Sequence, residues 1–176
     1  YPAVEALCAG LWALVFVDLL PAPDALLRPA QLIPVFVYGL YVSALLAISL
    51  IDLDHFIVPD SISLPLVPLG IGAAALLDAA GLGRVDFPSS VYGAIVGGGS
   101  MLALALLGRL LYGREALGMG DVKLMAAIGA WQGLHPALLL TVFGGSLLGS
   151  VVGIANIAVH GRDRQAKLPF GPFLCG

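Results

Sequence analysis

The stretch IDLDHFIVPD at 51–60 sets Asp52, Asp54 and Asp60 beside His55 in a chain that is otherwise mostly apolar. A further acid, Asp121, closes the glycine-flanked run GMGD at 118–121, with Lys123 two residues on. Two carboxylates that share one proton can hydrolyse an amide: the ionised one takes a proton from water while the protonated one donates to the carbonyl oxygen. Such a pair titrates as a unit. The first stretch also offers a different chemistry, an oxygen-rich site for a hard cation built from Asp52, Asp54 and His55, although its spacing matches no defined metal loop.

Each acid has a structural use as well. Asp60 follows Pro59 and precedes SISLPL, the pattern of an N-capping aspartate at the start of a helix, with catalysis as the other reading. Asp121 could cap the apolar helix it opens, but its glycines, Gly118 and Gly120, add backbone freedom and close approach that a simple cap does not need. Lys123 could stabilise the charged form of Asp121. Glu5 stands one turn into an apolar segment, as a dipole-favoured residue or as part of a polar site. Asp18, Asp24, Asp78 and Asp86 fall at helix ends where side chains reach water, and read as structural.

The elements that position these groups follow from composition. Over 176 residues the chain is 60% hydrophobic and 11% charged, with a mean hydropathy of +1.02, far too little polar surface for a soluble domain. Apolar stretches at 3–17, 32–51, 61–77, 88–107 and 136–159 mostly approach the roughly 20 residues that cross a bilayer as a helix. A sixth, DVKLMAAIGAWQG at 121–133, would cover only about 20 Å of a core about 30 Å thick. No segment alternates as a transmembrane β-barrel strand does, and stretches such as GAIVGGGSMLALALLG lack the polar face of a soluble bundle helix. The expectation is an all-α, polytopic transmembrane bundle of about six helices, with 1–176 as a single domain.

Six segments place alternate polar breaks on the same side of the membrane. One set carries Arg109, Arg114, Lys123, Arg162, Arg164 and Lys167, the other only Arg28 and Arg84. The excess puts 52–60 and 118–121 together on the cytoplasmic face. Both acidic motifs can therefore meet.

The small residues of GGGS at 97–100 and GGSLLGSVVG at 144–153 read as helix-packing faces. Trp131 suits either an interfacial anchor or core packing. Cys8 and Cys175 form no CxxC and support neither a zinc site nor a disulfide framework. A formal net charge of −3 with no basic run gives no reason to invoke nucleic acid. The first segment carries Glu5 and Asp18 and no basic n-region or small-residue cleavage site, so it does not resemble a secretory signal. Beginning with Tyr and ending PFLCG, the chain reads as a piece of a longer protein.

These residues resemble the type IV prepilin peptidases, membrane aspartic proteases related to the archaeal preflagellin peptidases. Asp52, Pro59 and Asp60 match the first motif, an Asp followed seven residues later by Pro and then Asp or Asn; Gly118, Gly120, Asp121 and Lys123 match the second, GxGD followed by Lys. YPAVEAL at 1–7 and LPFGPFL at 168–174 resemble the family's flanking segments, so the likeness covers essentially the whole chain. It implies a bacterial inner-membrane enzyme that cuts prepilins and pseudopilins after the glycine ending a short basic leader, at the cytoplasmic face, with Asp52 and Asp121 catalytic and no metal or cofactor for the cleavage. The offset to Pro59 selects Asp52 over Asp54 and Asp60. The likeness also implies a preceding region with two CxxC pairs, N-methylation of the new terminus from S-adenosylmethionine in full-length members, and one further helix. From the acids alone, a small transporter or cation-binding membrane protein is the alternative.

Overall fold

The computed structural model describes residues 2–20, 29–112, 118–160 and 171–175. Asp24, Arg28, Arg114, Arg162, Arg164 and Lys167, and the first residues of LPFGPFL, lie outside the described residues. The described chain is helical throughout: α1 (Pro2–Leu19), a 3-10 turn (Pro29–Gln31), α2 (Leu32–His55), α3 (Asp60–Ala79), α4 (Phe87–Tyr112), α5 (Met119–Gln132), α6 (Pro136–His160) and the short α7 (Gly171–Cys175). Four stretches, Pro2–Leu19, Pro29–His55, Asp60–Ala79 and Phe87–Leu111, are long and apolar enough to cross a membrane, and α6 is apolar over Pro136–Val152. This is a multi-pass membrane protein.

The short segment, α5, is the centre. Its 14 residues span about 21 Å, and Val122, Leu124, Met125, Ala127, Ile128, Gly129, Ala130 and Trp131 are all buried. A helix apolar all round is stable when other helices, rather than lipid, cover it, and α3 and α4 do so here. Against α4 the backbones touch: neither Gly93 nor Gly129 leaves room for a Cβ beside the other's carbonyl. The next turn repeats the approach, where a Cβ on Gly97 would stand 2.6 Å from the Met125 carbonyl oxygen. The antiparallel register of these two contacts sets Asp121 opposite Met101. The packing face expected in GGGS is thus Gly97 and Gly98, while Gly99 and, in α6, Gly144 have nothing within 4 Å of a Cβ.

Trp131 belongs to the core. Its ring stacks on Tyr41 at 4.4 Å and 8°, meets Tyr38 edge-on at 5.8 Å, and its Nε1 donates to the Leu66 carbonyl at 2.9 Å. An indole with its one donor satisfied gains more from burial than from an interface.

Two polar latches close the end of the bundle remote from the acidic motifs. Arg84 pairs with Asp18, and the first turn of α4 holds the end of α5. There Ser90 Oγ donates to the Ala130 carbonyl at 2.6 Å, and Leu134 N donates to the Ser89 carbonyl at 3.0 Å. Asp86 caps α4 by accepting the Ser89 N–H at 3.1 Å, the structural role expected of it.

Candidate active site

Asp52 lies in the last turn of α2 rather than in the polar break expected from residue 52 onward. Polarity does not end a helix. What ends this one is Phe56, whose left-handed backbone (φ 56°, ψ 36°) turns the chain out while its N–H returns to the Asp52 carbonyl at 2.9 Å. That conformation costs a non-glycine residue roughly 1–2 kcal/mol.

Helical geometry then sorts the acids. Asp52 continues the inward face of Tyr41, Leu45 and Ile48 and is 4% exposed. Asp54 sits about 200° further round the helix and, with His55, is exposed. The cation site drawn from these three residues therefore does not assemble: their side chains diverge. Among the described residues no group of three or more His, Cys, Asp and Glu side chains is placed to share a metal ion.

Asp121 occupies the third position of α5. Gly118 is the N-cap, with an extended backbone (φ −73°, ψ 144°). The Asp121 N–H donates to the Gly118 carbonyl at 3.2 Å, and Asp121 Oδ2 lies 3.5 Å from where a Cβ on Gly118 would stand. Neither Gly118 nor Gly120 has a positive φ, so unusual backbone freedom is not what these glycines supply. Gly120 supplies space, since a Cβ there would stand 2.9 Å from Val58 Cβ, and Val58 is buried.

Two further expectations change at this end. Pro59, not Asp60, takes the N-cap place of α3, because its carbonyl accepts the first helical N–H groups, Ile62 at 3.2 Å and Ser63 at 3.0 Å. Asp60 is the first helical residue, where the helix dipole favours an acid. Its Oδ2 takes the Lys123 ammonium at 2.6 Å, so the charge expected to act on Asp121 is directed to Asp60. Glu5 is exposed in the first turn of α1, a helix packed on α2, and makes no hydrogen bond among the described residues.

The two motifs interlock through Val58 against Gly120 and Asp60 against Lys123, which sets the end of α2 and the start of α5 at the same end of the bundle. The Asp121 carboxylate lies near enough to Asp52 to register its charge. Asp52 is buried and Asp121 half-buried. Like charges so placed favour holding one proton between them.

Sequence reasoning passed over α7. The Gly171 N–H donates to Asp52 Oδ2 at 2.9 Å, and Cys175 packs against the core cluster that includes Ile48 of α2. The available signal was the Gly-Pro pair within LPFGPFL, which marks a chain turning sharply into a helix.

The model of the type IV leader peptidase family matches residues 39–154, a span that contains both acids. The chain is 36% identical over 174 residues to a prepilin leader peptidase/N-methyltransferase of Aeromonas salmonicida (strain A449), covering 99% of this chain and 54% of that protein. It is 37% identical to the protein of that name from Pseudomonas putida, with 99% and 55% covered. The Pseudomonas aeruginosa protein of that name is 38% identical over 135 residues, with 74% and 43% covered. The chain thus spans about half the length of the relatives it matches. No solved structure matches it. With the family model extending over most of the chain and through both acidic motifs, this protein belongs to the type IV leader peptidase family.

Proposed function

We propose that this chain is the membrane core of an aspartic endopeptidase that removes the leader of type IV prepilins and pseudopilins after a glycine, at the cytoplasmic face of the bacterial inner membrane. The observation that carries the reading is the interlocking of the two acidic motifs, Val58 against Gly120 and Asp60 against Lys123, at the end of α2 that holds Asp52 and the start of α5 that holds Asp121. A water between them loses a proton to the ionised carboxylate as its oxygen attacks the scissile carbonyl. The protonated carboxylate donates to the carbonyl oxygen, and collapse of the tetrahedral intermediate returns a proton to the leaving amine. Both acids stand at helix ends, where water reaches them more readily than at mid-membrane. The substrate's apolar segment enters from the bilayer, and its basic leader stays near the exposed Asp54.

N-methylation of the new terminus from S-adenosylmethionine, which the relatives' names carry as a second activity, belongs in this reading to the full-length protein. The surroundings of the two acids do not fit that group: Asp60 and Lys123 satisfy each other, and Val58 and Leu174 are aliphatic. No step here passes through it.

The test is cleavage of a purified prepilin by the full-length protein. Asp52→Asn and Asp121→Asn should each lower kcat/KM by about 10³-fold or more in correctly inserted protein, with Asp54→Asn near wild type. Retained cleavage in either of the first two variants removes the dyad.

A further inference from the structure

We propose that Gly171 is a positioning residue for Asp52: its backbone N–H fixes Oδ2 of the carboxylate, so that Oδ1 is the oxygen left to exchange a proton with water. This rests on the reading of Asp52 as one half of the dyad.

A carboxylate on a helix end can turn about its last bond, and either oxygen could then face the substrate. Here the turn is blocked by a bond made 119 residues away in sequence and buried from water. A buried N–H given to a carboxylate is charge-assisted, and is stronger than a neutral bond. The anchor is itself fixed, because Leu174, 2% exposed, sits in the same apolar cluster as Ile48 and Tyr41 of α2, and Cys175 packs against that cluster. Among the described residues Oδ1 receives no hydrogen bond.

The same contact explains why the position is glycine. A Cβ at residue 171 would stand 2.7 Å from Asp52 Oδ2, 3.2 Å from Cγ and 3.3 Å from Cβ. Any side chain must displace the carboxylate it would otherwise hold. Displacement of about 1 Å at a reacting group is enough to cost about 10²-fold in rate.

The experiment compares Gly171→Ala with wild type in the full-length protein, using a fluorogenic peptide that spans a prepilin leader, its terminal glycine and the first apolar residues. Gly171→Ala should lower kcat about 10²-fold with KM within about twofold, the signature of a group misplaced for the chemical step. Gly39→Ala, which sets a Cβ 2.8 Å from the Trp12 ring far from the acids, should lower the melting temperature and leave kcat within about threefold. A second measurement needs no activity: alanine at 171 should lower the melting temperature when Asp52 is present and far less in an Asp52→Ala background, including the case where Gly171→Ala alone does not fold. The proposal is overturned if Gly171→Ala keeps kcat within about threefold, or if the thermal cost of alanine is the same with and without the Asp52 carboxylate. The failure of the protease reading looks different, namely cleavage retained by Asp52→Asn whatever residue 171 does.

Discussion

Lys123 Nζ stands 2.6 Å from Asp60 Oδ2, which ties the second turn of α5 to the first turn of α3. The side chains are 31% and 55% exposed, so the pair contributes no more than about 1 kcal/mol to stability. Its larger role is geometric, since it joins the two acidic motifs on the side away from the dyad. Lys123→Met is expected to lower kcat/KM about tenfold while the melting temperature moves little. The exchange Asp60→Lys with Lys123→Asp should recover most of that loss in the same cleavage assay. No recovery would mean that Lys123 acts in some other way.

At Gly120 the limit is space. Gly120→Ala brings a Cβ against Val58, and overpacking of this kind costs about 1–3 kcal/mol. The atom it meets is the Val58 Cβ, which alanine keeps, so Val58→Ala in the same chain does not relieve the clash. Thermal unfolding in detergent should therefore find the double variant no more stable than Gly120→Ala alone.

Trp131 is held by stacking on Tyr41 and by the Leu66 carbonyl. Trp131→Ala removes both contacts and leaves a large void, for a loss of about 3–5 kcal/mol. Trp131→Phe keeps an aromatic ring, loses only the donor, and should fall well short of that loss. Equal melting temperatures for the two variants would contradict the packing described.

In the proposed mechanism one carboxyl is charged and the other neutral. Cleavage plotted against pH should therefore be bell-shaped: it falls on the acid side as the base is protonated and on the alkaline side as the shared proton is lost. Rates that rose to a plateau without an alkaline limb would argue against a proton-sharing pair.

Much of this arrangement is legible in the amino-acid order, for a physical reason. Apolar runs mark membrane helices strongly, and α1, α3, α4 and α6 begin and end within a few residues of their apolar stretches. The end of α2 was not legible, because Asp52 and Asp54 look like a loop when polarity is read as a boundary, whereas the left-handed Phe56 sets it. Trp131 was open between interface and core because hydropathy does not report a stacking partner 90 residues away. The grouping of Asp52 with Asp121 was expected from sidedness and family resemblance. The bond from Gly171 was not, since a backbone N–H leaves no trace in residue type.

The register of α4 against α5 carries one more consequence. With Asp121 opposite Met101, α4 continues to Tyr112 for 11 residues, about 16 Å, beyond the level of the acid. α4 therefore stands above Asp121 as a wall that an extended chain would need about five residues to climb.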